Sequence, residues 1–329
     1  MSHRLRVGVL RGGPSAEYEV SLNSGAAVIN SLNERYKDRF RPIDIFINKK
    51  GIWHIDGIPV KPEQVIHRID VAWNALHGAF GEDGKIQHFF EVHRTPFTGS
   101  GSLGSALGMN KMMAKKIFRD HDIKTPLERE ILSDEILSSS GMDALIKNLF
   151  NTLLLPAVIK PISSGSSIGV SVVRTYGELP VALALAAKHG DSVIVEEFIP
   201  GIEATCGVIE DFRGQTLYAL PPVEIRPTTV FFDYEAKYNG KSLEIIPATF
   251  TDKIKKNIED ISCRIHRALG LRHYSRSDFI IHPRRGVYAL EVNTLPGLTD
   301  ESLLPKSLRA VGSDIHELVG HTIGLAMRR

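Results

Sequence analysis

Two cysteines in 329 residues are too few for a disulfide framework. Cys206 falls in a strand-like run and Cys263 in a helix-like run, so both read as packed thiols rather than a bridge or a metal pair. No stretch approaches the ~20 apolar residues of a membrane-spanning helix. The first apolar run, 7–10, is too short for the hydrophobic region of a secretory signal. The net charge is only +2 and no basic block accompanies it, which argues against nucleic-acid binding. There is no internal repeat and no long linker, and no Gly-Lys-Ser/Thr follows the glycines of the 160–169 run, so that run is not a Walker A sequence. The Ser138-Ser139-Ser140-Gly141 patch reads as a short loop. With 43% hydrophobic and 24% charged residues, the chain has the composition of a soluble, reduced, cytoplasmic enzyme. Its length suits two or three α/β domains.

Strands and helices alternate in the first region. A strand over 7–10 leads through Gly12-Gly13-Pro14 into a helix over about 20–32, followed by a strand at 42–47, a hairpin-like piece at 53–58 and a strand at 71–76 ending in His77-Gly78. This is the pattern of a small parallel sheet with ligand loops at the strand C-termini. A helix over 110–121 opens a second unit, with strands at 153–160, 169–173 and 193–198 and a helix at 179–189. The third unit holds strands at 204–209 and 217–223, a long polar loop, a helix at 252–269, a hairpin and a C-terminal helix ending near Met327.

The hairpin carries the strongest chemical signal. Residues 276–281 and 287–293 alternate polar and apolar about a turn centred on Arg284-Arg285. Pairing about that midpoint sets Asp278 opposite Glu291 and Arg276 opposite Asn293 on one face. Phe279, Ile281, Tyr288 and Leu290 fall on the other, the expected core face. Two acids facing each other across a ladder repel. They are either solvated on an exposed sheet face or held by a cation, and carboxylates with an amide oxygen are hard ligands that suit Mg²⁺. Lys160 through Gly169, a run of small residues after an apolar strand, offers N–H and hydroxyl groups to phosphate, with Lys160 as a point charge; a flexible surface loop is the plainer reading. Glu196 and Glu197 end an apolar strand where backbone groups suit an adenine edge and a carboxylate suits ribose hydroxyls; surface acids are the alternative. Glu17 alone reads equally as a first-turn acid that favours the helix dipole. His77, Lys111 and Tyr238, each alone, read as a structural histidine, a surface lysine and loop packing.

Taken in order, several segments resemble the D-alanine–D-alanine ligase family of the ATP-grasp superfamily. They are residues 10–25 (Leu-Arg-Gly-Gly-Pro-Ser-Ala-Glu and onward), Asn74-Ala75-Leu76-His77-Gly78 with Gly81-Glu82-Asp83-Gly84, Asp233-Tyr234-Glu235-Ala236-Lys237-Tyr238, which resembles that family's ω-loop, and Glu291 through Thr299. The resemblance covers nearly the whole chain. It implies an α/β (α+β) fold of three-domain ATP-grasp architecture: a Rossmann-like, pre-ATP-grasp parallel-sheet domain at 1–99 that binds substrate, a central ATP-grasp subdomain at 100–197 with the phosphate loop, and a C-terminal ATP-grasp subdomain at 198–329 with the ω-loop, metal and catalytic residues. The implied reaction is ATP-dependent joining of two D-alanines through an acyl phosphate, giving D-alanyl-D-alanine, ADP and phosphate for peptidoglycan precursors.

The family's site residues carry over position by position. The resemblance makes Glu17, Ser166, Tyr238, Arg276 and Ser302 catalytic. It gives ATP to Lys111, Lys160, Ser166, Ser167, Glu196, Glu197, Ile199, Glu203 and Lys237, and D-alanine to Glu17, His77, Tyr238, Arg276, Gly297, Ser302 and Leu303. Asp278, Glu291 and Asn293 hold Mg²⁺ or Mn²⁺, as two ions. In these roles Arg276 and the Gly297 N–H stabilise the tetrahedral oxyanion, Glu17 meets the first ammonium, Ser302 the second carboxylate, and Glu17, Ser166 and Tyr238 form a hydrogen-bonded triad. The implied partners are D-alanine and ATP, in a cytoplasmic homodimer without nucleic acid or membrane. Tyr238, where ester-forming relatives often carry phenylalanine, implies D-alanine rather than D-lactate as second substrate. The chain departs from the family at Ser163-Ser164, where a basic-acidic pair is frequent, at Glu197, where lysine is common, and at Arg11, where a small residue is usual. Asp300 and Glu301 precede Ser302 and are expected to point away from a substrate carboxylate. Two other readings stand beside this one: an ATP-grasp ligase for a different amino-acid pair, and a nucleotide-binding homologue without catalysis.

Overall fold

A computed structural model describes residues 4–163, 168–227 and 242–328. The first sheet has the order β4-β3-β2-β1-β5, in which β1 (Leu5–Gly12) lies parallel to both β2 (Phe40–Ile47) and β5 (Val71–Asn74). β3 (Trp53–Ile55) and β4 (Ile58–Val60) form the expected hairpin at its edge. Val7 and Val9 face α1 (Tyr18–Arg35) and the chain's last helix, α11 (Ile315–Ala326), in one cluster with Val28, Leu32, Leu318 and Ile323. On the opposite face Leu10, Ile45 and Ile47 meet Val65 of α2 (Pro62–Ile66) and Ile86 and Phe90 of α3 (Lys85–Val92). The turn from β1 into α1 depends on Gly12: its φ is +90°, and a Cβ there would lie 2.2 Å from the Ile47 carbonyl oxygen. Arg11 is accommodated because Gly25 lies beneath it and Asp44 takes its guanidinium through two hydrogen bonds of 2.7 and 2.5 Å.

The second sheet runs β6 (Glu128–Leu132), β9 (Ser192–Glu197), β7 (Ala157–Pro161), β8 (Ser171–Val173), all antiparallel. Ile131, Ile159, Val173, Val193 and Val195 point into a core closed by α6 (Ser133–Leu137), α7 (Ser139–Thr152) and α8 (Leu179–Ala187). Strand alternation sends Val158, Lys160 and Glu196 to the opposite face. The serine patch expected as a loop instead starts α7: Ser138 is its N-cap, its Oγ accepting from the Gly141 N–H at 3.1 Å.

The third sheet has the order β13-β12-β10-β14-β15, with β11 (Gln215–Ala219) paired to the far end of β10 (Ile202–Phe212). Pro221 and Pro222 separate β11 from β12 (Val223–Pro227), so the single strand expected at 217–223 is two. β13 (Ser242–Ile245), β14 (Tyr274–His282) and β15 (Gly286–Asn293) complete it. Helices α4 (Ser102–Met109) and α5 (Lys111–Asp120) pack on β15, and Ala114 and Phe118 share one core with Ile258 and Ile265 of α9 (Asp252–Ala268). No helix among the described residues is long and apolar enough to cross a membrane.

The β14–β15 register has Asp278 opposite Glu291 and Arg276 opposite Asn293. Beyond that point the two strands slip by one residue, so Phe279 pairs with Ala289 and Ile280 with Tyr288. This bulge corrects the expected core face. Phe279 and Ile281 enter the core with Val287 and Ala289, whereas Tyr288 shares the face of Ile280 and Leu290 lines the cleft. A bulge inserts one residue and re-aims the side chains beside it.

Candidate active site

The open face of the second sheet and the Ile280 face of the β14–β15 hairpin enclose a cleft. Its walls are apolar at Pro126, Val158, Phe198, Ile199, Ile280 and Leu290, and charged at Lys111, Lys160, Glu196, Glu197, Glu203 and Glu291. All six described residues expected at ATP line it, Lys111, Lys160, Glu196, Glu197, Ile199 and Glu203, and Glu291 from the expected metal set lies beside Lys111 at 3.4 Å. Lys111 is the first residue of α5, whose N-cap Asn110 accepts from the Met113 N–H at 3.0 Å. Lys160 ends β7, and its Nζ lies 2.7 Å from Glu196 Oε2. Burial works against the Lys160 charge, but Glu196 and then Glu291 hold its pKa above the ordinary lysine value. Burial likewise opposes ionisation of Glu196, yet Lys160 and Lys115 keep its pKa below the usual carboxylate value. Glu197 turns its carboxylate to Arg285 at the hairpin tip, 2.6 Å away.

Arg276 binds the Asp278 carboxylate through two hydrogen bonds of 2.8 and 2.9 Å. Asn293 Oδ1 accepts from the Leu295 N–H at 2.8 Å, which fixes the side chain and leaves a second lone pair on that oxygen. Asp278, Glu291 and Asn293 therefore present only oxygen donors from one face of one hairpin, a set that fits a hard divalent cation.

Glu17, at the N-cap of α1, makes no capping bond. A Cβ on Gly78, whose φ is +71°, would lie 3.2 Å from Glu17 Oε2, so the carboxylate rests over the turn after β5. Glu17, His77 and Glu82 converge there, with ligand atoms within 4.8 Å of one another. His77 Nε2 lies 2.9 Å from Ser24 Oγ, and Glu82 Oε1 accepts from the Gly78 N–H at 2.8 Å. Burial pushes the His77 pKa down to about 4, so the ring is neutral at pH 7. Burial, reinforced by Glu17, pushes Glu82 up to about 8. Glu17 is raised by burial too, against the pull of Arg276. Burial thus favours the neutral form of both acids and of the ring, and an ammonium bound among them would offset the cost of ionising a carboxyl.

Ser302 N-caps α10 (Leu303–Ala310), and Leu303 opens the helix. Ser302 Oγ lies 2.9 Å from Thr299 Oγ1, and a Cβ on Gly297 would approach Ser302 Oγ to 2.7 Å. The loop reaches back to the first domain, since Ser24 Oγ accepts from the Leu298 N–H at 3.3 Å. Asp300 and Glu301 are exposed and pair with Arg309 and Lys306, pointing outward. Ser166, Ser167, Lys237 and Tyr238 lie outside the described residues.

Two residues escaped the sequence reading. Glu82 stands out in the sequence only as part of the Gly81-Glu82-Asp83-Gly84 turn. Lys115 is wholly buried, its Nζ 2.6 Å from Glu196 Oε2. The one signal for Lys115 was its spacing of four from Lys111, which puts both on one helix face.

Two family profiles divide the chain between them. That described as D-ala D-ala ligase N-terminus matches residues 6–65 and 56–100, and that described as D-ala D-ala ligase C-terminus matches residues 117–324. A D-alanine–D-alanine ligase of Geobacter sulfurreducens is 39% identical over 95% of this chain and 92% of its own length. One of Desulforamulus reducens is 38% identical over 99% of each. Among solved structures, the VanG D-Ala:D-Ser ligase of Enterococcus faecalis superposes with a TM-score of 0.85 at 30% identity, covering 98% of this chain and 100% of that one.

Proposed function

The chain belongs to the D-alanine–D-alanine ligase family, and from that premise we infer that it joins two D-alanines at the expense of ATP in the supply of peptidoglycan precursors. The observation that carries this reading to the site is that the acidic cluster of Glu17, His77 and Glu82 feels the charges of Arg276 and Glu291 on the oxygen-donor hairpin and of Lys111 in the cleft.

The carboxylate oxygen of the first D-alanine attacks the γ-phosphorus, the bond to ADP breaks, and an acyl phosphate forms. The amine of the second D-alanine then attacks the acyl carbon, and phosphate leaves with the attacking oxygen. In our reading Glu17, with His77 and Glu82, holds the first ammonium. Lys111, Lys160 and Lys237 hold the phosphates, and Glu196, Glu197, Ile199 and Glu203 the nucleoside. Asp278 fixes the Arg276 guanidinium through two hydrogen bonds, which aims its positive charge at the tetrahedral oxyanion beside the Gly297 N–H. Ser302 and the start of α10 receive the second carboxylate, where helix N–H groups favour an anion. Ser166 and Tyr238 act with Glu17 to exclude water from the intermediate. Asp278, Glu291 and Asn293 would hold Mg²⁺ or Mn²⁺, whose charge offsets that of the phosphates. We assign the division at 1–99, 100–197 and 198–329, with α4 and α5 joined to the core of the third unit, and a cytoplasmic homodimer on the family resemblance.

ADP release, followed with D-alanine, L-alanine, D-serine and D-lactate in parallel, tests the reading. D-alanine alone should sustain turnover, and Arg276→Ala should lower it by roughly a hundredfold or more. Turnover with D-lactate above that with D-alanine would reject the role given to Tyr238; no dependence on D-alanine would reject the reaction.

A further inference from the structure

Glu196 receives two ammonium groups on one oxygen. Lys160 Nζ and Lys115 Nζ lie 2.7 and 2.6 Å from its Oε2. The acid opposite Glu196 in the β6–β9 register, Glu128, is paired at 2.5 Å with Arg119 and acts on Lys115 through charge, as the last and smallest of its influences. Burying a lysine completely is costly unless its charge is used. Burial and the neighbouring Lys160 lower the Lys115 pKa to about 8, which reflects that cost.

We propose that Lys115 is a positioning residue for the nucleotide: it neutralises Glu196, so that the Lys160 ammonium keeps a net positive charge for the phosphates of ATP. Two ammonium groups and one carboxylate leave one unit of positive charge on the cluster of Lys115, Glu196 and Lys160. Without Lys115 the pair of Lys160 and Glu196 is neutral, and the Lys160 charge is taken up by the carboxylate it already touches. Lys111 and Lys115 stand one turn apart on α5, the first paired with Glu291 and the second with Glu196, so one helix face adjusts both sides of the cleft. The inference rests on the ATP-dependent reading above.

The test uses the full chain with steady-state ADP release at saturating co-substrate, and ATP binding by calorimetry as a readout without turnover. Lys115→Met should raise the KM and Kd for ATP about ten- to a hundredfold, the scale of a lost charged hydrogen bond. The KM for D-alanine should stay within about twofold of wild type, since the residue acts on the nucleotide alone. In a Glu196→Gln background the charge to be neutralised is gone, so adding Lys115→Met should change ATP affinity by less than about twofold. That second comparison holds even if Lys115→Met alone fails to fold. Unchanged ATP affinity in Lys115→Met, a parallel rise in both KM values, or a tenfold loss on adding Lys115→Met to Glu196→Gln would overturn the proposal. A wild type that binds ATP but shows no D-alanine-dependent turnover would instead reject the assigned reaction, while the calorimetric comparison still judges Lys115.

Discussion

Acid should destabilise this protein through one buried ring. His77 is 4% exposed, with Nε2 against Ser24 Oγ at 2.9 Å and Nδ1 3.9 Å from Glu82 Oε1. Burial lowers its pKa from 6.5 to about 4. Between those values the unfolded chain binds a proton that the folded chain refuses, so stability falls as pH drops through the window. A separation of about 2.5 units at 1.36 kcal/mol per unit makes the full loss about 3 kcal/mol. Glu82 has the opposite sign. Its folded value of about 8 lies above the unfolded 4.5, so the folded chain holds the extra proton, and stability falls as pH rises from about 4.5 towards 8. Urea unfolding of wild type and His77→Gln from pH 7 to pH 4 separates the two, because the variant lacks only the histidine's contribution. The difference in stability between wild type and variant should shift by about 3 kcal/mol over that range, in the variant's favour at low pH. Parallel pH profiles would show that burial does not hold this ring neutral.

Gly297→Ala should raise the KM for the second D-alanine at least tenfold with little change for ATP, because the new methyl group must displace Ser302 Oγ from 2.7 Å; steady-state kinetics with each substrate varied checks it. Gly12→Ala should lower stability by about 2 kcal/mol or more, seen as a lower urea midpoint, since φ is +90° and the Cβ meets the Ile47 carbonyl oxygen at 2.2 Å. Arg285→Ala should leave the urea midpoint close to that of wild type, because the Glu197–Arg285 pair is solvent-screened.

The hairpin shows what the sequence made legible. Period-2 alternation about a recognisable turn was enough to set Asp278 against Glu291 and Arg276 against Asn293. The bulge one step further was not legible, because Tyr288, Ala289 and Leu290 are all acceptable on an apolar face and nothing local selects which one is extruded. Helix α7 was missed at Ser138 because serine followed by glycine suits a loop as well as an N-cap. Lys115 and Glu82 belong to a different class of miss. A lysine on a polar helix and an acid in a glycine-rich turn are surface residues by every local rule. Only the approach of β9 to α5, and of the β5 turn to α1, buries them and gives their charges partners. Arg11 was read as a departure, and the compensation sits fourteen residues on, at Gly25, and across the sheet at Asp44.

The central claim is that this site activates a carboxylate by phosphorylation before the amine attacks. D-alanine labelled with ¹⁸O in its carboxylate tests that directly, because the oxygen that attacks the γ-phosphorus leaves with it. Mass spectrometry of the released phosphate should find one ¹⁸O per phosphate, with D-alanyl-D-alanine formed in equal amount. Unlabelled phosphate released alongside the dipeptide would contradict the account, since the ligation would then proceed without an acyl phosphate.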